Sequence, residues 1–104
     1  MLRTHRSGRV PIPRPLGRRV VMLDGAIGDL GVRAATEGDR IDLSKGSKPA
    51  YEALAEAGVP VRLRSVWPAV VSGGTMVWLV AARLAPGYRT ANGPVVIVEA
   101  VEAT

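Results

Sequence analysis

The most apolar stretch of the chain, Thr75–Val80, reads TMVWLV, so that a strand here carries Met76, Trp78 and Val80 on one side and Val77 and Leu79 on the other. A strand apolar on both faces belongs in the middle of a domain. It follows Pro68-Ala69-Val70-Val71-Ser72, a second strand, across Gly73-Gly74, whose tolerance of positive φ fits a tight hairpin turn. Upstream, Arg19–Leu23 is a β-branched run stopped by the turn signal Asp24-Gly25. Asp29–Ala34 is a further strand with Leu30 and Val32 on one face, closed by a turn at Thr36–Asp39. Arg40-Ile41-Asp42-Leu43 alternates polar and apolar, the pattern of a half-buried strand with Arg40 and Asp42 on the wet side. Downstream, Pro86-Gly87 marks a turn, and Pro94-Val95-Val96-Ile97-Val98 supplies a last strand that closes the sheet.

One segment carries a helical period. From Lys48 or Pro49 to Ala57 the apolar stripe is Tyr51, Leu54 and Ala55, with Glu52 and Glu56 one turn apart on the outer side. Ser47 is placed to cap the free amides, Pro49 suits the first turn, and Gly58 suits the stop. Val61–Val66, between Pro60 and Pro68, forms a short second helix or a turn. The fold class expected from this order is α+β: a small mixed or antiparallel sheet with one main helix and a short second one.

Composition narrows the picture. At 104 residues and 47% hydrophobic content the chain makes one domain with a single modest core of Val, Ala and Leu, since Phe is absent. There is no cysteine, hence no disulfide, thiolate metal site or Cys nucleophile. No apolar run approaches a membrane span, and Pro11, Pro13, Pro15 and Arg14 break up the N-terminus where a signal peptide would need an apolar stretch. A cytoplasmic protein without membrane contact is expected.

Charge is uneven. Residues 1–19 hold six arginines and no acid, whereas residues 20–104 hold eight Lys or Arg against nine Asp or Glu, a net of −1. The excess therefore sits in residues 1–18, which show no helical or strand period and read as a disordered basic arm ahead of a folded domain at 19–102. Such an arm is either a solvated linker or a non-specific hold on a polyanion through counterion release. The lone His5, among Thr and Arg, has no partner for a metal site or a catalytic dyad.

Catalytic chemistry finds no foothold. Ser72-Gly73-Gly74-Thr75 superficially matches the SGGxDS loop of ATP-pyrophosphatases, but no Asp-Ser follows and a strand, not a helix, comes next. There is no Walker loop and no GxGxxG. Glu52 and Glu56 lack the second acidic cluster or histidine a paired-carboxylate site needs. No catalytic residue, cofactor or metal is assigned, and the chain alone is expected not to be an enzyme. What remains is basic: Arg40, Lys45, Lys48, Arg62, Arg64, Arg83 and Arg89 all stand at turns and element ends. If those loops converge they form a phosphate-binding edge; if not, each is an ordinary surface charge.

Over residues 24–90 the order of these features resembles the C-terminal domain of bacterial tRNA(Ile)-lysidine synthetase. Arg33 stands five residues before Gly38-Asp39-Arg40-Ile41, followed by the helix start Gly46-Ser47-Lys48, then Val59-Pro60, Arg64 and Pro68, and last Trp78, Arg83 and Tyr88-Arg89 after the hairpin. The chain departs from the family pattern at Pro49, Val61 and Ser65, where a second lysine, a second proline and an aspartate are usual. It has no counterpart of the family's ATP-pyrophosphatase and central domains, so it is either a piece of such a protein or a stand-alone relative. The resemblance implies a domain that helps hold the tRNA toward its acceptor stem, through backbone contacts, in a ligase that uses ATP to attach lysine to a wobble cytidine. The implied partners are tRNA and a separate catalytic domain or chain. The rival expectation is a protein-interaction or homodimerisation module, using the Trp78 hairpin or an edge strand.

Overall fold

The computed structural model describes residues 5–13, 20–24, 30–87 and 95–102, and every structural statement below concerns those. The elements in chain order are β1 (His5–Ile12), β2 (Val20–Asp24), β3 (Leu30–Ala34), β4 (Arg40–Asp42), β5 (Ser47–Pro49), α1 (Ala50–Glu56), α2 (Val61–Arg64), β6 (Pro68–Ser72), β7 (Thr75–Leu79), β8 (Arg83–Leu84) and β9 (Val95–Glu102). The architecture is α+β, as expected. It is divided, however, into a four-stranded sheet β3-β6-β7-β8, a three-stranded sheet β1-β9-β2 and the small hairpin β4-β5.

The four-stranded sheet grows from the central hairpin. Gly73 and Gly74 take φ of 56° and 86°, the consecutive positive values of a two-residue turn. Val70 then pairs with Trp78, and a bulge after Val70 shifts the register so that Val71 faces Met76. All of Met76–Val80 is buried, so the doubly apolar strand is interior. Trp67, just ahead of β6, is fully buried and donates its indole N–H to the Val80 carbonyl at 2.8 Å. That bond satisfies the one polar atom of a large core side chain. At the sheet's edge, β3 pairs with β6; of the two apolar residues on one of its faces only Leu30 packs on the core, and Val32 is 57% exposed.

The last strand does not close this sheet. β9 pairs with β2 antiparallel, Val98 opposite Val21, and with β1 parallel, Val10 opposite Ala100. The reading of residues 1–18 as a disordered arm therefore fails for His5–Ile12: Val10 and Ile12 are buried in the same apolar cluster as the β6–β7 hairpin. Pro11 has no N–H to give a ladder, a defect only an edge strand tolerates, and β1 is an edge strand. The turn at Gly25 and the residue Arg89 lie outside the described residues.

Helix α1 is short and its start differs from expectation. Ser47 belongs to β5 and caps nothing; Pro49 occupies the cap position, and the Ala50 amide donates to the Asp39 backbone carbonyl at 2.8 Å. The buried stripe is Ala50, Ala53 and Leu54, with Tyr51 half-buried and Ala55 exposed. The helix stops as expected at Gly58, whose φ is 91°. There the Gly58 amide reaches the Ala55 carbonyl and the Val59 amide the Leu54 carbonyl, the paired bonds of a Schellman stop.

Candidate nucleic-acid interface

The segment richest in basic candidates begins at the turn between β3 and β4. Arg33 at the end of β3 forms a two-pronged ion pair with Asp39, Nη1 to Oδ2 at 2.7 Å and Nη2 to Oδ1 at 2.9 Å. Asp39 also accepts the Thr36 amide at 2.8 Å, and Arg33 donates to the Ala34 carbonyl. Asp39 thus ties a strand end and a turn through its carboxylate and the start of α1 through its backbone carbonyl. Hydrogen bonds from Arg33, with those from Thr36, pull the Asp39 carboxyl down to about 2. The same pairing raises the Arg33 guanidinium.

Because the folded state holds this carboxyl below its unfolded value, the stabilisation is present above about pH 4 and is lost as the pH falls toward 2. Solvent around Arg33 screens the pair, so the contribution is on the order of 1 kcal/mol. Asp39→Asn is expected to lower the melting temperature at pH 7 and to lower it much less at pH 2, where about half of the wild-type carboxyl is itself protonated. An equal loss at both pH values would contradict this.

The β4-β5 hairpin carries three of the basic candidates, and its register sorts them. Arg40 lies opposite Pro49, Ile41 opposite Lys48, and Asp42 opposite Ser47. Directly opposite residues share a face. Lys48 therefore shares the face of the buried Ile41, where its side chain is only 19% exposed and its ammonium pairs with Glu56 at the end of α1. Arg40 lies on the other, wet face. Its guanidinium is held by Ser47, Nε to the hydroxyl at 2.9 Å and Nη2 to the carbonyl at 3.3 Å, which leaves the rest of its fork free to take a bidentate oxyanion. Lys45, in the hairpin turn, is exposed.

The remaining candidates are spread over α2 and β8. Arg62 is exposed, while Arg64 is half-buried and spends its Nε on the Val59 carbonyl at 3.0 Å. Two residues apart on a helix, they point to different sides. Arg83 is exposed on the edge strand β8. Among the described residues, then, Arg40 is pre-set by Ser47, Lys45, Arg62 and Arg83 make no ion pair, and Lys48 and Arg64 are engaged internally. Trp67 and Trp78 are core residues with no face for a base. The Arg33–Asp39 tie is the structural feature that the sequence pattern contained but did not show as a pair.

No protein-family model matches the chain, and no curated protein matches it. Among solved structures it is similar to a crystal structure of the TILS C-terminal domain, with a TM-score of 0.64 and 26% sequence identity over 76% of this chain. The chain spans 65% of the length of that solved chain. The resemblance read from the residues holds at the level of the fold, and the shared fold is the α+β arrangement described above.

Proposed function

We propose that this chain is an accessory domain of a tRNA(Ile)-lysidine synthetase-like protein, and that it helps hold tRNA by its backbone on the acceptor-stem side during lysidine modification of the wobble cytidine. The observation that carries the reading is the fold likeness to the TILS C-terminal domain, at a TM-score of 0.64 and 26% identity. Chemistry of the surface supports it. Duplex RNA is contacted chiefly through phosphates and shape, which calls for dispersed guanidinium and ammonium groups and no aromatic platform. Arg40, Lys45, Arg62, Arg83 and Arg89 are the residues proposed for the contact, with Lys48 and Arg64 in lesser parts because Glu56 and the Val59 carbonyl already hold them. Arg40 ranks first, because its guanidinium is fixed before binding and loses little freedom on meeting a phosphate. Catalysis belongs to a separate domain or chain.

The test is fluorescence anisotropy with a labelled tRNA transcript. Arg40→Ala is expected to weaken binding by about 1–2 kcal/mol, roughly 5- to 30-fold, with an unchanged melting temperature. Lys48→Ala, whose charge is already committed to Glu56, is expected to change affinity less than Arg40→Ala does. Equal affinity of wild type and Arg40→Ala at low salt would remove Arg40 from the interface.

A further inference from the structure

We infer that Ser47 is a positioning residue for the proposed tRNA contact, keeping the Arg40 guanidinium off the Asp42 carboxylate and directed at a phosphate. The inference rests on the tRNA-backbone reading above and adds to it the residue that decides which oxyanion Arg40 meets. The β4-β5 register puts all the groups concerned on one face. Arg40 and Asp42 are alternate residues of β4, so their side chains leave the same side of the hairpin. At about 3.3 Å of rise per residue their Cα atoms are roughly 6–7 Å apart, well within the reach of an arginine. Ser47 lies opposite Asp42 and Pro49 opposite Arg40, so these two share the face as well.

Asp42 is the obvious charge partner for Arg40 on this face, yet the two do not pair. Asp42 is exposed and, among the described residues, makes no ion pair. Arg40 instead crosses the strands to Ser47, giving Nε to the hydroxyl at 2.9 Å and Nη2 to the carbonyl at 3.3 Å. Pro49, directly opposite, has no side-chain acceptor to offer. The two bonds occupy the side edge of the guanidinium. Its end edge, one N–H on each of Nη1 and Nη2, stays open, with the spacing that two oxygens of a phosphate match.

What matters is that both acceptors are uncharged. Ser47 fixes Arg40 without neutralising it, whereas Asp39 and Glu56 cancel the charges of Arg33 and Lys48 as they hold them. The support is itself held: Ser47 is half-buried in β5, which runs directly into α1. The turn before it is closed by the Leu43 amide on the Gly46 carbonyl at 2.9 Å. Without the hydroxyl, Nε loses its acceptor and the side chain swings to Asp42. Exposed ion pairs are weak, so this competition costs several-fold in phosphate binding, not all of it.

Fluorescence anisotropy of the intact chain with a labelled tRNA transcript tests this through a double-mutant cycle. Ser47→Ala is expected to weaken binding about 3- to 10-fold with a nearly unchanged melting temperature, and Ser47→Thr, which keeps the hydroxyl, to bind within about twofold of wild type. Asp42→Asn is expected to strengthen binding about twofold in the wild-type chain but at least about fivefold in Ser47→Ala, because only there does the carboxylate hold Arg40. In an Arg40→Ala chain, Ser47→Ala is expected to change nothing further. A serine that served only the fold would not tie its effect to Asp42 and Arg40. Wild-type affinity in Ser47→Ala, an equal effect of Asp42→Asn in both backgrounds, or a further loss in the Arg40→Ala chain would each overturn the inference and leave the tRNA reading standing. A wild-type chain that binds no tRNA at about 50 mM salt overturns that reading, and the inference with it.

Discussion

Replacing Trp67 with alanine is expected to cost about 3–5 kcal/mol through the cavity left by a buried indole, and a further ~1 kcal/mol or more because the Val80 carbonyl loses its donor. Trp67 is fully buried, sits at the joint where α2 hands over to β6, and its carbonyl also accepts the Ala35 amide. A domain of this size has about 5–15 kcal/mol in total, so Trp67→Ala is expected to lie near or beyond the edge of folding. Trp67→Phe separates the two parts: it keeps most of the packing and loses the N–H donor, for an expected loss of about 1–3 kcal/mol. Urea denaturation of both variants measures the difference. A Trp67→Ala chain as stable as wild type would mean that the indole does not fill the core.

Removal of residues 1–13 is expected to be nearly as damaging. Ile12 is fully buried and Val10 almost so, and both sit on the parallel ladder to β9. Ile12→Ala alone is expected to cost about 2–4 kcal/mol, which for a chain of this length lowers the melting temperature by on the order of 10–20 °C. The deletion costs more, since it also strips β9 of one neighbour and bares the apolar faces of Val98 and Ala100. An unchanged melting temperature in the deleted chain would show that β1 contributes nothing to the fold and that the basic segment acts as a free arm.

Much of this architecture is written in local patterns. The runs at Val20–Asp24, Pro68–Ser72 and Thr75–Leu79 are strands because β-branched and large apolar residues fill short runs between turn signals; Gly73-Gly74 marks the hairpin turn and Gly58 the stop of α1 directly. What local pattern cannot carry is pairing at long range. β1 finds its partner about ninety residues away, and its Arg and Pro residues hide the two side chains, Val10 and Ile12, that matter. Likewise the assignment of β9 to a second sheet depends on β1 and β2 offering it two edges, which no feature of Val95–Glu102 announces. At the candidate interface the sequence supplied residue types but not directions. Lys48 is drawn inward because an odd-even register places it with Ile41, and its partner Glu56 lies beyond the strand–helix joint. Arg33 and Asp39 are six residues apart, and only the tight Thr36–Asp39 turn brings them face to face.

The proposed function requires this domain to hold tRNA through the phosphate backbone. Its most direct measurement is the affinity of the intact chain for a tRNA transcript, and for a duplex matching its acceptor stem, as a function of salt. The expected result is binding to both with log K falling linearly against log salt, at a slope corresponding to about three to five phosphate contacts, and little dependence on the sequence of the stem. Absence of binding at about 50 mM salt, where even a few phosphate contacts would register, would contradict the claim.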